Sequence, residues 1–491
     1  MEPISEEDVR ARLGSDNPWW RDSRYVVPES LSPKRVYFQP FKELALNFAI
    51  RRAAVLLGPR RVGKTYMTKQ LIQSAMQRGI AGKNILYVSI DAPIYLGMTL
   101  EKFIELMPEV DPSEQRLVIF DEIQYLRNWE GHLKDLVDNR ANIKFIVSGS
   151  AAAALQLKSR ESGAGRFSDF MLPPLTFYEF LLFLGEGEAF IRQIPGKPDE
   201  SPRYEILDIK KLNSRFVDYL NFGGYPEAVL NEEVRKNAPQ FIKNDIIDKV
   251  LLNDLPSLYG INNPQLLKKL FAFLAYNAGN EASFENICQG SGIPKPTIRA
   301  YLEYLESAFL IIKLSTIDDN CKTLQRERNF KIYLNNPSMR AAFFAPVAED
   351  DTSRIGLLAE CAVFSQWQHS SGFANLRYAR WRNEGEVDIV YLAPEAQKPQ
   401  WIGEIKWSDR FGVDPDEVTK HITYLLKKHK GVTDAVVTTR SIETEVKIEG
   451  RTIHVHPTAA YCYMLGRNIM TSLGHLPRAR EPDQQKSEPA K

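Results

Sequence analysis

The chain has 491 residues, a formal net charge of +1, 44% hydrophobic and 25% charged side chains. That length is too great for one core, so two or three domains are expected, and the balanced charge excludes a global field drawing the protein to nucleic acid or an anionic membrane. Cys288, Cys321, Cys361 and Cys462 show no C-x-x-C pairing, which excludes a disulfide framework or a zinc site; the opening "MEPISEEDVR" is acidic and no run approaches the roughly 18 apolar residues of a membrane span, so a cytoplasmic protein with no membrane partner is expected.

In chain order, residues 1–35 read as a polar N-terminal arm in which "PWW" (Pro18 to Trp20) docks on the body of the protein. Residues 36–184 alternate short apolar runs, "AAVLL", "ILYVSI", "RLVIF" and "KFIVSG", with amphipathic helical stretches. Continuous β-branched runs separated by helices predict an α/β domain with a parallel sheet covered on both faces. The Gly- and Pro-rich residues 185–204 read as a linker, and 205–325 as a helical region with apolar spacings of three and four. Strand signals return in residues 326–470 at "KIYLN", "EVDIVYLA", "QWIGEIKW", "DAVVTTR" and "TIHVHP", predicting a second α/β domain, and 471–491 read as a disordered tail.

The run "AAVLL" leads directly into Gly58-Pro59-Arg60-Arg61-Val62-Gly63-Lys64-Thr65, followed by Tyr66 and a helical stretch. Strand, G-x-x-x-x-G-K-T and helix together make a phosphate loop of these residues. Backbone amides at a helix N-terminus face the β-phosphate, Lys64 reaches the β- and γ-oxygens, and the Thr65 hydroxyl ligates Mg²⁺. Arg60 and Arg61 fill variable positions of the pattern. The run "RLVIFDEIQ" ends in two acids: Asp121 is assigned to the metal and Glu122 to the base that activates water, which makes ATP hydrolysis the expected reaction. A phosphotransferase is compatible with the loop alone. At the end of "KFIVSGS", Ser148 and Ser150 are candidates for sensing the γ-phosphate or placing the water.

These stretches, with "FDEIQYLRNWEGHLKDLVD", "GAGRFSDFMLPPLTFYEF", "FVDYLNFGGYPEAVL" and "DIIDKVLLNDLP", resemble the prokaryotic AAA-type ATPases that join an ATP-binding AAA domain to a C-terminal domain of unknown function. The resemblance covers roughly residues 36–410. It implies an AAA-like fold with ATP at the phosphate loop, and it makes Arg166 of "AGR" the counterpart of the family's arginine there. As an arginine finger, Arg166 would act on its own chain's phosphate or on a neighbour's.

In "SFENICQGSGIPKPTIRAYLEYLESAFLIIKL", two helices around Gly292 followed by a strand resemble a winged helix-turn-helix. Thr297 and Arg299 would face DNA, although Glu303 and Glu306 offset Lys295 and Arg299, and winged helices also serve as protein-binding modules. Further on, "GEVDIVYLAPEAQKPQWIGEIKWS" reads as a β-hairpin carrying Asp388 and Glu404-Ile405-Lys406, with Glu360 on a preceding helix. Alternation puts Glu404 and Lys406 on one face. Two carboxylates and a lysine suit a magnesium-dependent phosphodiester hydrolase, and the arrangement resembles the PD-(D/E)xK nuclease core, a restriction-endonuclease-like fold. Where relatives carry an aspartate in "YFxDxGL", this chain has "YLNNPSM" with Asn335. Three functional classes stay open: an ATPase driving its C-terminal module on a nucleic-acid or protein partner, an ATP-regulated nuclease, and a non-catalytic ATP-binding scaffold; an oligomer is open in each.

Overall fold

Five short strands pair in parallel to form the first sheet: β1 Ala53–Leu57, β2 Ile85–Ser89, β3 Arg116–Asp121, β4 Ile143–Gly149 and β5 Phe167–Met171, in the order β2-β3-β4-β1-β5. The computed structural model describes residues 5–111, 113–149, 165–195, 202–321, 329–381 and 385–476. Ser150 and the tail from 477 onward lie outside the described residues; residues 471 and 472 still belong to the last helix, Thr458–Ser472. β1 and β4 are buried along their whole length, as uninterrupted apolar runs covered on both faces require. The helix Lys64–Gln77 buries Met67, Leu71 and Ala75, spaced by four, and the helix Trp129–Asn139 buries Trp129, Leu133 and Leu136. β5 gave no signal in the sequence because Ser168 and Asp169 interrupt it, as an edge position tolerates.

Packing divides the chain into two compact units: Met1–Pro174 with Asn244–Lys268 and Ala300–Leu310, and Leu175–Lys243 with Lys269–Arg299 and Ile311–Lys491. In the first, the N-terminal arm does more than lead in. It forms the helix Glu6–Asp16, capped reciprocally by Ser5 and Asp8, and then covers the edge of β2. The Trp19 and Trp20 indoles both donate to the Ile85 carbonyl, at 2.9 and 2.7 Å, while Asn17 exchanges two hydrogen bonds with the Tyr87 backbone.

The second unit contains the hairpin of β6 Ile191–Ile194 and β7 Arg203–Ile206, so the stretch expected as a linker is partly ordered strand. Its main sheet uses β8 Glu281–Ser283, β9 Ile311–Ile317, β10 Asn329–Leu334, β11 Leu376–Trp381, β12 Gly385–Leu392, β13 Pro399–Glu404, β14 Asp434–Thr439, β15 Thr444–Ile448 and β16 Arg451–Pro457. The order is β15-β16-β14-β13-β12-β11-β9-β10-β8, a mixed sheet. The expected hairpin is present as antiparallel β12 and β13. The sheet also takes in β8 and β9 from within residues 205–325; the strand read at "LIIKL" is β9, which runs on to Ile317. Among the described residues, no helix is long and apolar enough to cross a membrane.

Candidate functional site

The phosphate loop leaves the C-terminal end of β1. A β-carbon on Gly58 would lie 2.2 Å from the Leu172 carbonyl oxygen, so only glycine lets the chain turn here. Gly63, at φ 99°, adopts the left-handed conformation and caps the helix Lys64–Gln77 without any side-chain bond to its first amides. The Lys64 ammonium is buried and donates to the Gly58 and Pro59 carbonyls at 2.9 and 2.7 Å. Burial lowers its pKa to about 8, against the pull of Glu122 and Asp121. Val62 is wholly buried and its carbonyl accepts from Arg35 at 2.8 Å, whereas Tyr66 is exposed.

Because β4 lies between β1 and β3, Asp121 of β3 and Ser148 of β4 converge with Thr65 of the helix that follows the loop. The Asp121 carboxylate accepts from Thr65 Oγ1 at 2.8 Å, from the Tyr87 hydroxyl at 2.8 Å, from the Ser148 hydroxyl and from the Glu122 amide at 3.2 Å. Tyr87, on β2, was not singled out in the sequence, since nothing in "ILYVSI" marks its hydroxyl as facing an acid on the neighbouring strand. Glu122 sits at φ 55°, a left-handed conformation that side chains rarely adopt and that is typical of functional turns. Burial raises its carboxyl pKa, with Lys64 opposing and Asp121 reinforcing the shift. Its Oε2 accepts from Gln124 Nε2 at 2.5 Å.

Arg166 is placed elsewhere. β1 and β5 run parallel with Ala53 beside Phe167, so Arg166 stands at the N-terminal end of the sheet, while the phosphate loop leaves the other end. Five residues of strand separate the two ends by about 16 Å. Its guanidinium pairs with Asp138 at 2.8 Å, so within its own chain it does not face the loop. Arg60 and Arg61 are also engaged: Arg60 by Asp254 at 2.7 Å and Arg61 by Asp245 at 3.1 Å.

In the second unit, Glu360, Asp388, Glu404 and Lys406 do meet. Lys406 Nζ lies 2.7 Å from Glu404 Oε1 and 3.4 Å from Asp388 Oδ2, and the Ile405 amide donates to the same Asp388 oxygen at 2.9 Å. A second lysine, absent from the sequence reading, closes the group. Lys331 of β10 lies 2.7 Å from Glu386, 3.4 Å from Asp388 and 3.5 Å from Glu360, and the Tyr333 hydroxyl donates to Glu360 at 2.9 Å. β10 and β12 are three steps apart in the sheet, which if flat would separate them by about 14 Å. The contact therefore requires the sheet to curl where β9 and β11 share only two paired residues.

Burial raises Glu404 to about 8 and Glu360 to about 7, with Asp388 reinforcing both shifts. Asp388 goes the other way: burial opposes it, but Lys406, Lys331 and the Ile405 amide hold it below the ordinary aspartate range. Among the described residues, Glu404 Oε2 is buried with no hydrogen-bond partner. Among the described residues, no group of three or more Asp, Glu, His or Cys is arranged to hold a metal ion. The Lys331 and Lys406 ammonium groups stand against these carboxylates. Asn335 is buried, and among the described residues neither of its amide atoms has a hydrogen-bond partner.

The helices Phe284–Ser291 and Lys295–Ser307 flank Gly292 as expected, with β9 following and β10 pairing to both β8 and β9. The basic residues of the second helix are committed within the chain: Lys295 pairs with Glu285, and the Arg299 guanidinium lies 4.8 Å from the centre of the Phe284 ring. Thr297 is half-buried.

The sequence matches a family described as AAA domain over residues 50–181 and a domain of unknown function (DUF8612) over residues 213–350. The first stretch is thus an AAA-type, ATPase-like P-loop domain. An uncharacterized protein of Haemophilus influenzae is 30% identical over 272 residues, 54% of this chain and 62% of that one. The uncharacterized protein MJ1544 of Methanocaldococcus jannaschii is 25% identical over 297 residues, 59% of this chain and 63% of that one. The chain thus spans less than two thirds of the length of either relative. Among solved structures, the Walker-type ATPase PABY2304 of Pyrococcus abyssi is similar at 16% identity with a TM-score of 0.39, covering 66% of this chain and 99% of that one.

Proposed function

We propose that the first unit binds ATP with magnesium and hydrolyses it, and that the chain couples this reaction to its C-terminal module acting on a nucleic-acid or protein partner. The observation that carries the reading is the convergence of Thr65, Ser148 and Asp121 beside Glu122, at the end of the sheet from which the Gly58–Thr65 loop emerges. A hydroxyl and one carboxylate 2.8 Å apart are the hard oxygen donors a phosphate-bound magnesium takes from protein, so no three-acid cage is needed. Thr65 and Asp121 would hold the ion, which supplies charge neutralisation on the phosphates when bound. Lys64 neutralises phosphate charge by exchanging its two loop carbonyls for phosphate oxygens. Glu122 is aimed by its turn and held by Gln124, and its raised pKa suits a base that takes a proton from water. Ser148 fixes the orientation of Asp121.

Glu122→Gln is expected to leave ATP binding intact and to lower phosphate release by roughly 10²–10⁴-fold. Lys64→Ala is expected to weaken binding itself. Turnover of the glutamine variant at the wild-type rate would refute the assignment. Phosphate release measured with single-stranded DNA, double-stranded DNA or RNA separates the partner classes: stimulation by one of them identifies it, and none favours a protein partner.

A second reading rests on the meeting of Glu360, Asp388, Glu404 and Lys406: a PD-(D/E)xK-type phosphodiester hydrolase in the second unit. Lys331 and Lys406 engage the oxygens of these carboxylates in the present arrangement, so no metal-dependent step is assigned to it. Its test is DNA cleavage by the wild type with Mg²⁺ or Mn²⁺, abolished in Asp388→Ala. No cleavage by the wild type leaves the cluster a buried ion network.

A further inference from the structure

Both arginines at the variable positions of the phosphate loop are handed to one helical segment of the same unit. Arg60 grips Asp254 with two prongs, Nε to Oδ2 and Nη2 to Oδ1, each at 2.7 Å, and Nη2 also lies 3.2 Å from the Tyr125 hydroxyl. The side chains of this pair are 17% and 8% exposed, so it is little screened by salt. Arg61, at φ 64°, sets Nη2 3.1 Å from Asp245 in a more open pair of small energetic weight.

The two acids lie on an unusual element. Residues Ile242–Asp248 and Val250–Asp254 are wound as π-helix, between α-helical Ala238–Phe241 and Leu255–Tyr259. Asp245 and Asp254 are nine residues apart. In an α-helix nine residues make about two and a half turns, which would put the carboxylates on opposite faces. Bonding from i to i+5 fits about 4.4 residues into a turn, so nine residues make about two turns and both acids share a face. π-Helix is rare beyond single-turn bulges, and here it is the winding that presents both acids to the loop.

The γ-phosphate of ATP offers Arg60 three oxygens and more negative charge than one carboxylate. We propose that Arg60 is a γ-phosphate-contacting residue held in reserve on Asp254, so that ATP at the loop takes Arg60 from Asp254 and frees the 244–254 segment to leave its π-winding. The proposal rests on the reading of the first unit as an ATP site, and it makes the loop's variable positions the part that reports whether a γ-phosphate is present. The exchange replaces one ion pair by another, and Asp254 is released to solvent.

The test is amide hydrogen exchange across 244–259 in the full chain, with the β,γ-methylene analogue of ATP and, separately, with ADP, both with Mg²⁺, alongside calorimetric affinities. Exchange in 244–254 is expected to speed up about tenfold with the analogue and not with ADP. Asp254→Asn is expected to exchange fast without nucleotide and to bind the analogue about fivefold more tightly, because the competing carboxylate is gone. Arg60→Gln is expected to lose the difference between the analogue and ADP. If the analogue binds and exchange in 244–254 is unchanged or slowed, or if ADP acts equally, the latch is overturned while the ATP site stands. If neither nucleotide binds the wild type, both readings fall.

Discussion

Gly58 shows how tightly the phosphate loop is specified at single positions. With the Leu172 carbonyl 2.2 Å from any β-carbon, Gly58→Ala must push backbone against backbone, and no flexible side chain is there to give way. The expected cost is about 1–3 kcal/mol of stability, with weakened ATP binding, read by denaturant unfolding and nucleotide titration. Lys331 is the opposite case, a position with no local signature. Its 4% exposed ammonium serves Glu386, Asp388 and Glu360, so Lys331→Met leaves buried carboxylates uncompensated and is expected to cost about 3–5 kcal/mol. Asp388, Glu404 and Lys406 could be placed together from the sequence because the hairpin is local, and Glu360 could be read only as a residue of the preceding helix. Lys331 could not, because it reaches them only through the curl of the sheet. Tyr87 and Asp254 escaped for the same reason: each meets its partner across a distance that periodicity does not encode.

At the scale of elements, the four most apolar strands of the first sheet stood out as uninterrupted runs, and β5 did not, since an edge strand keeps polar residues. The π-wound segment was invisible for a different reason: apolar spacing is read against 3.6 residues per turn, and "DIIDKVLLNDLP" obeys another period. The docking of "PWW" was legible because two adjacent tryptophans are too costly to leave in water, but which surface they cover was not. They cover the β2 edge, where their indoles occupy a carbonyl that would otherwise be free to pair with another chain. Trp19 is 2% exposed, so Trp19→Ala is expected to cost about 3–5 kcal/mol. It should also open the β2 edge, seen as concentration-dependent association in light scattering. Loss of stability without association would mean that the rest of the arm suffices to cover the edge.

At the scale of the whole molecule, composition placed a boundary at 185–204, but the chain passes between its two units several times. Residues 244–268 and 300–310 belong to the first unit, and two of the crossings fall inside the helices Pro264–Tyr276 and Lys295–Ser307. A crossing within a helix carries no Gly, Pro or Ser signature, so no linear reading marks it. The second unit adds a dependence on pH that the whole chain should express. Glu404 and Glu360 titrate in the folded state at about 8 and about 7, above their ordinary 4.5. Between these values the folded chain holds protons that the unfolded chain has released, so stability falls as pH rises: the contribution is complete below 4.5 and lost through about 8. Asp388, held low, acts in the opposite sense only below its ordinary 3.8. Lys331 and Lys406 are raised further and stay charged throughout. The slope is expected to be on the order of 1.4 kcal/mol per pH unit for each proton retained. The thermal midpoint of the chain should therefore fall between about pH 5.5 and about pH 8.5, and Glu404→Gln should flatten the upper part of that fall. A midpoint that rises over this range would mean that both glutamates are already ionised in the fold, with Lys331 and Lys406 holding all three carboxylates as anions.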